Sequence, residues 1–143
     1  MKTLLSLLAL ALVLPAAARA EQAQKFGDVE IHYNALSTND LTPEIARNYK
    51  LARSKGRGLL TLSVLKKNSM GVSYPVAAEV KVNAANVYSQ LIKIDMREIR
   101  EGNAIYYLGE YWMTPPETLK FNISVKPEGA AQPYSFEYPQ SFY

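Results

Sequence analysis

Five cations, Arg47, Lys50, Arg53, Lys55 and Arg57, follow one another between positions 47 and 57 with no acid among them. Arginine offers a planar fork of donors that matches a carboxylate or phosphate, and lysine adds point charges beside it. Gly56-Arg57-Gly58 would also let backbone amides approach a ligand closely. The spacing therefore points to a site for an anion, whether a small carboxylate or phosphate or an acidic envelope polymer. The competing reading is a solvated loop, the ordinary fate of a charge run.

Other residues that do chemistry are sparse. His32 is the single histidine and there is no cysteine. A serine triad would have to use His32, but no G-x-S-x-G elbow is present and no thiolate is available. One histidine without cysteine leaves no tetrahedral metal set, and the D-x-D-x-D-G calcium pattern is missing. Neither a metal nor a cofactor is implied. Asp95, Glu98 and Glu101 suggest the paired carboxylates of glycoside chemistry. They alternate with Arg97 and Arg100, so charge pairing along a strand is the simpler account.

Tyrosine is over-represented, with ten residues against four phenylalanines and one tryptophan. Tyr106, Tyr107, Tyr111 and Trp112 could form a stacking platform for sugar or peptide, since such rings combine apolar area with a polar tip. Neighbouring strand residues point to opposite faces, so Tyr106 and Tyr107 cannot both enter the core of a one-sided sheet. Tyr107 joins Arg47, Arg53, Lys55 and Arg57 as a candidate ligand-binding residue. The sequon Asn122-Ile123-Ser124 lies inside a predicted strand and is discounted. Counting back by twos from Tyr143 meets Ser141, Pro139 and Glu137, the wrong register for a lipid-facing barrel strand.

The elements that must hold these residues follow from periodicity. Residues 1–20 have a basic start at Lys2, an apolar run from Leu4 to Leu14, Pro15, and the small-x-small sequence Ala18-Arg19-Ala20. That is a secretory signal peptide, with export to a periplasm as the expectation. Its removal takes Lys2 and Arg19 from a chain of formal charge +3. The modest basic balance is thus partly a leader effect and does not indicate nucleic-acid binding. No second apolar run of spanning length follows, so no membrane span is expected in the mature chain. Residues 21–143 suit one domain.

Strict alternation predicts strands around 26–35, 76–82, 119–125 and 134–138, with a more fully apolar strand at 59–65. Residues 91–112 read as a central hairpin turning at 100–103, where Gly102-Asn103 supplies a tight reversal. Within the long connection 37–57, Thr42 is a helix N-cap with Pro43 at the first helical position, predicting a short helix to about Tyr49. About seven strands and one short helix in a long loop make an all-β chain, a two-layer antiparallel sandwich of immunoglobulin-like character. A closed small barrel is the alternative.

FGDVEIHYNAL (26–36), RSKGRGLLTLSVLKK (53–67), MREIREGNAIYYLGEY (96–111) and ETLKFNISVKP (117–127) together resemble a family of exported Gram-negative proteins known as domain of unknown function 4426. The resemblance spans essentially the whole mature chain and implies an exported single domain. It implies no activity, cofactor or catalytic residue. The residues themselves favour a non-catalytic binding or accessory module that contacts a periplasmic protein or an anionic envelope component. The rival is a small enzyme, which would bring Tyr, Arg and acid side chains together in a concave pocket beside the long loop, or a carrier of a small anion, which would place the basic loop over a cavity.

Overall fold

Every alternating segment named above forms a strand, because residues i and i+2 share a face and the apolar face must be buried. The computed structural model describes residues 22–143, and the expected leader, residues 1–20, lies outside them. Ten strands occur among the described residues: β1 (Gln22–Phe26), β2 (Val29–Ser37), β3 (Arg57–Lys67), β4 (Ser73–Pro75), β5 (Ala78–Ala85), β6 (Leu91–Ile94), β7 (Arg97–Glu101), β8 (Ala104–Trp112), β9 (Glu117–Pro127) and β10 (Tyr134–Phe142). One sheet runs β1-β2-β3-β8-β7, with β4 extending the β8 side of β3, and the other runs β10-β9-β5-β6. All pairings are antiparallel. The chain is an all-β, two-layer sandwich.

Three strands exceed the seven expected. β1 lies in the polar lead-in, where sequence alternation is weak; a two-residue turn at Gly27-Asp28 pairs it with β2, with Gly27 at φ 61°. β4 has only three residues. The third comes from a break in the expected central hairpin. Residues 91–94 pair with β5 in one sheet and residues 97–101 with β8 in the other, so the chain changes sheets at Asp95-Met96. Gly109 of β8 permits this crossing. A Cβ there would stand 2.3 Å from Met96 Sδ and 2.6 Å from Ile94 Cγ2. The block 91–112 is therefore central only in part: β8 is buried between β3 and β7, whereas Leu91 is 74% exposed on edge strand β6.

The main core lies between the sheets, with Leu60, Leu62 and Val64 of β3 facing Phe121, Ile123 and Val125 of β9. Burying each such side chain contributes about 1.5–3 kcal/mol. A smaller second core covers the outer face of the first sheet. It is made by Ala46, Leu51, Leu59 and Leu108, with Tyr49 and Ile99 packed against it. This explains why β3 is apolar on both faces: Leu60 points to the main core and Leu59 to the second one.

Candidate functional site

The second core exists because residues 37–57 fold over the sheet. Helix α1 (Pro43–Asn48) starts as predicted, with Thr42 Oγ1 accepting the Ile45 N–H at 3.2 Å. It ends with the Leu51 N–H donating to the Ala46 carbonyl at 2.7 Å and the Lys50 N–H to the Arg47 carbonyl at 3.1 Å. This paired arrangement closes a helix through a left-handed residue and drives the next apolar side chain, here Leu51, back onto the helix. The left-handed residue is Lys50, at φ 56°, where glycine would be the unstrained choice.

The base of the loop is pinned by Thr38, which is fully buried. Its Oγ1 accepts the Ser54 N–H at 3.0 Å and donates to the Ser54 carbonyl at 3.1 Å. Arg97 reaches across from β7 and donates to the Tyr49 carbonyl. A hydrogen bond with Glu101, and then burial, pushes the Tyr49 phenol above its ordinary range.

This scaffold splits the predicted cation cluster. Arg47, Lys50, Arg53 and Lys55 are exposed on the loop, and among the described residues no carboxylate forms an ion pair with them. Arg53 is partly oriented by donating to the Asn39 carbonyl at 3.3 Å. Arg57 departs from the cluster. Its Nη1 donates to Glu110 Oε2 at 2.7 Å and its guanidinium lies 4.2 Å from the centroid of the Trp112 ring, directly opposite it in the β3–β8 ladder. A guanidinium held by a carboxylate and an indole is largely spent as an anion receptor. The glycine element is committed too. The Gly56 N–H donates to Ser54 Oγ, the Gly56 carbonyl accepts the Met113 N–H, and Gly58 lies beneath the Tyr111 ring. Its amides do not form an anion cradle.

Tyr107 requires the larger correction. It is only 4% exposed, and its hydroxyl accepts the Ala78 N–H at 2.7 Å and donates to Glu98 at 3.3 Å. Burial raises its pKa. The ring belongs to the main core and offers no stacking surface. Tyr111 is buried as well, while Tyr106 and Trp112 are exposed. The four rings alternate between core and outer face, so the expected platform does not assemble. The carboxylates are engaged in charge pairs: Glu98 with Arg100, and Asp95 with Lys93 at 3.6 Å. His32 Nε2 lies 3.0 Å from Glu30 Oε1. No group of three or more His, Cys, Asp or Glu side chains that could hold a metal occurs among the described residues.

Three recesses can be traced among the described residues. One, about 760 Å³, lies over the second sheet and includes the polar row Lys93, Asn83, Asn122 and Glu137, which the ladder registers align across four strands. A second, about 380 Å³, forms on the outer face of the first sheet near His32, Ser63 and Tyr106, between the start of β8 and β4. A third, about 540 Å³, sits at the end of the sandwich between the β5–β6 turn and the end of β10. The loop cations line none of these three. Tyr88 and Tyr143 are both strongly exposed beside the third recess; sequence alone raises Tyr143 only as a lipid-facing end and does not single out Tyr88. The available signal was Val87-Tyr88, an apolar pair inside an otherwise polar turn.

The molecule is thus an all-β sandwich that carries an ordered basic loop on one outer face, with Arg, Tyr and acid side chains held apart rather than converging. It belongs to the DUF4426 family, a domain of unknown function, whose family pattern matches residues 23–143. No curated protein matches the chain. A DUF4426 family protein of Pseudomonas aeruginosa PAO1 is similar in structure, with a TM-score of 0.72 and 31% identity over 86% of this chain and 94% of that one. A copper-bound variant of FetP from uropathogenic Escherichia coli strain F11 shares the fold at a TM-score of 0.61 and 14% identity, covering 86% and 95% of the two chains. FetP of the same strain, recombinantly expressed in the periplasm, gives 0.60 and 12% over 85% and 93%. No helix among the described residues is long and apolar enough to cross a membrane.

Proposed function

We infer that this protein is a non-catalytic binding or accessory module of the cell envelope, exported by its leader, whose basic loop contacts an anionic protein surface or envelope component. One observation carries the reading: Arg47, Lys50, Arg53 and Lys55 stand exposed without carboxylate partners on a loop that Thr38 and the second core hold in place. Cations on a preformed surface bind with less ordering cost than cations on a free tail. They also create a local field that the nearly balanced charge of the whole chain does not predict. The enzyme reading loses support because Arg57, Tyr107 and Glu98 are each held by structural partners. A copper-bound FetP variant shares the fold, but no group of three or more His, Cys, Asp or Glu side chains that could hold a metal occurs among the described residues here.

Native mass spectrometry of the protein taken gently from its own cells, at low and high salt, tests this reading. A co-purifying mass should disappear at high salt and in the Arg47→Ser/Arg53→Ser variant, because exposed charge contacts are screened. Arg57 stays in place so that the β3–β8 ladder is undisturbed. A bare chain under every condition, or a partner retained by the variant, would reduce the loop to a cover for the second core.

A further inference from the structure

The recess at the end of the sandwich has a different chemistry from the basic loop. It is bounded by the β5–β6 turn, the 114–118 segment and the end of β10. Tyr88 is 82% exposed, Tyr143 95% and Val87 72%, and all three line the recess. Exposed apolar side chains gathered at one place and rimmed by polar groups commonly mark a contact surface.

Tyr88 is displayed by a stiff turn. Asn86 Oδ1 accepts the N–H groups of both Tyr88 and Gln90 at 3.0 Å, and Asn86 Nδ2 donates to Gln90 Oε1 at 2.7 Å. The Asn86 N–H donates to the Gln90 carbonyl at 3.2 Å, and Ser89 takes φ 59° to complete the reversal. The backbone carrying the ring is therefore ordered before any ligand arrives, which lowers the entropic cost of using it.

The polar groups around the rings both donate and accept. Thr118 Oγ1 and Ser141 Oγ lie 2.8 Å apart. Two hydroxyls that share one hydrogen bond leave one proton free to donate outward. Glu117 accepts the Thr114 N–H through Oε2 at 2.8 Å, which leaves its second oxygen as an acceptor. The Gln90 amide nitrogen adds donors. Among the described residues no lysine or arginine lines the recess, so it is unsuited to an anion. Exposed rings beside hydroxyl, amide and carboxylate groups complement a sugar: its C–H face stacks on an aromatic ring and its hydroxyls exchange hydrogen bonds with neutral and acidic partners. The volume falls within the range of small-ligand sites.

We propose that this end recess is a saccharide-binding site, taking a neutral oligosaccharide segment with Tyr88 as the stacking ring and Gln90, Glu117 and the Thr118–Ser141 pair as hydrogen-bonding groups. The site is independent of the basic loop. The test is calorimetric titration and NMR shift mapping of the full mature chain with maltohexaose, cellohexaose and chitohexaose. At least one should bind and perturb residues 86–90 and 117–118. Tyr88→Ala should weaken that binding about tenfold, equivalent to about 1.4 kcal/mol of lost ring contact, while Tyr88→Phe keeps it. Tyr106→Ala, an exposed ring elsewhere, and Arg53→Ser should leave it unchanged. Lack of binding by all three sugars, or binding that Tyr88→Ala does not weaken, would overturn the proposal. So would a concentration-dependent dimer that Tyr88→Ala abolishes, because the rings would then serve self-association.

Discussion

Thr38→Val isolates the fastening of the basic loop. Valine keeps the shape of the fully buried side chain, so no cavity opens, but it removes both hydrogen bonds to Ser54. The two losses differ. The Ser54 carbonyl retains the Arg57 N–H at 3.3 Å and Ser37 Oγ at 3.5 Å, whereas the Ser54 N–H loses the acceptor that Thr38 provided. An unsatisfied, partly buried N–H costs about 1–3 kcal/mol. The expected loss is therefore about 2 kcal/mol, which in a domain of this size lowers Tm by about 6–10 °C. Urea titration by far-UV circular dichroism gives the global change, and amide exchange at Ser54 and through 38–56 gives the local one. If the loop opens alone, protection there falls more than Tm does. Thr38→Ser, which keeps the hydroxyl, should preserve protection at Ser54. A Thr38→Val protein with wild-type Tm and unchanged exchange through the loop would refute the argument that this one side chain holds the loop.

Gly109→Ala is expected to destabilise by about 2–3 kcal/mol in urea denaturation, because the new methyl meets the buried Ile94 side chain and lies 3.3 Å from the Asp95 carbonyl oxygen; Met96→Ala should recover only part of the loss. Tyr111→Phe should leave the protein equally stable or up to about 1 kcal/mol more stable by the same measurement, since the Tyr111 hydroxyl is buried without a hydrogen-bond partner. The pH dependence follows from the same group. Tyr49, Tyr107 and Tyr111 all have pKa values raised above 10.0, with burial the first cause for Tyr107 and Tyr111. Their contribution is complete below pH about 10 and declines above it, as the unfolded chain ionises first. Thermal melts should show Tm falling in that alkaline window, less steeply for Tyr111→Phe. Lys50→Gly should raise Tm modestly, by relief of about 0.5–1 kcal/mol of left-handed strain at the helix end, and an unchanged or lower Tm would count against that account.

Alternation and capping carried much of the architecture. Segments such as Val29-Glu30-Ile31-His32-Tyr33 and Leu119-Lys120-Phe121-Asn122-Ile123 declare two faces locally, and Thr42-Pro43 declares a helix start within four residues. Those signals are enough for an all-β chain with one short helix, while the lack of cysteine and the single histidine exclude a disulfide framework and a multi-histidine metal site. Partnership across the chain was not legible in the same way. Arg57 looked like one of five loop cations until the β3–β8 register placed it opposite Trp112 and within reach of Glu110, 53 residues away. Tyr107 looked like one of four platform rings until the strand's orientation turned its ring inward against Ala78. Residues 91–99 read as one hairpin arm in sequence but belong to two sheets, and only the packing of Ile94 and Met96 over Gly109 reveals the crossing. Periodicity records which face a residue occupies. Which distant segment lies on that face depends on register and on how the two sheets close, so Arg57's carboxylate, the second core beneath the basic loop and the recess beside Tyr88 were settled by tertiary structure alone.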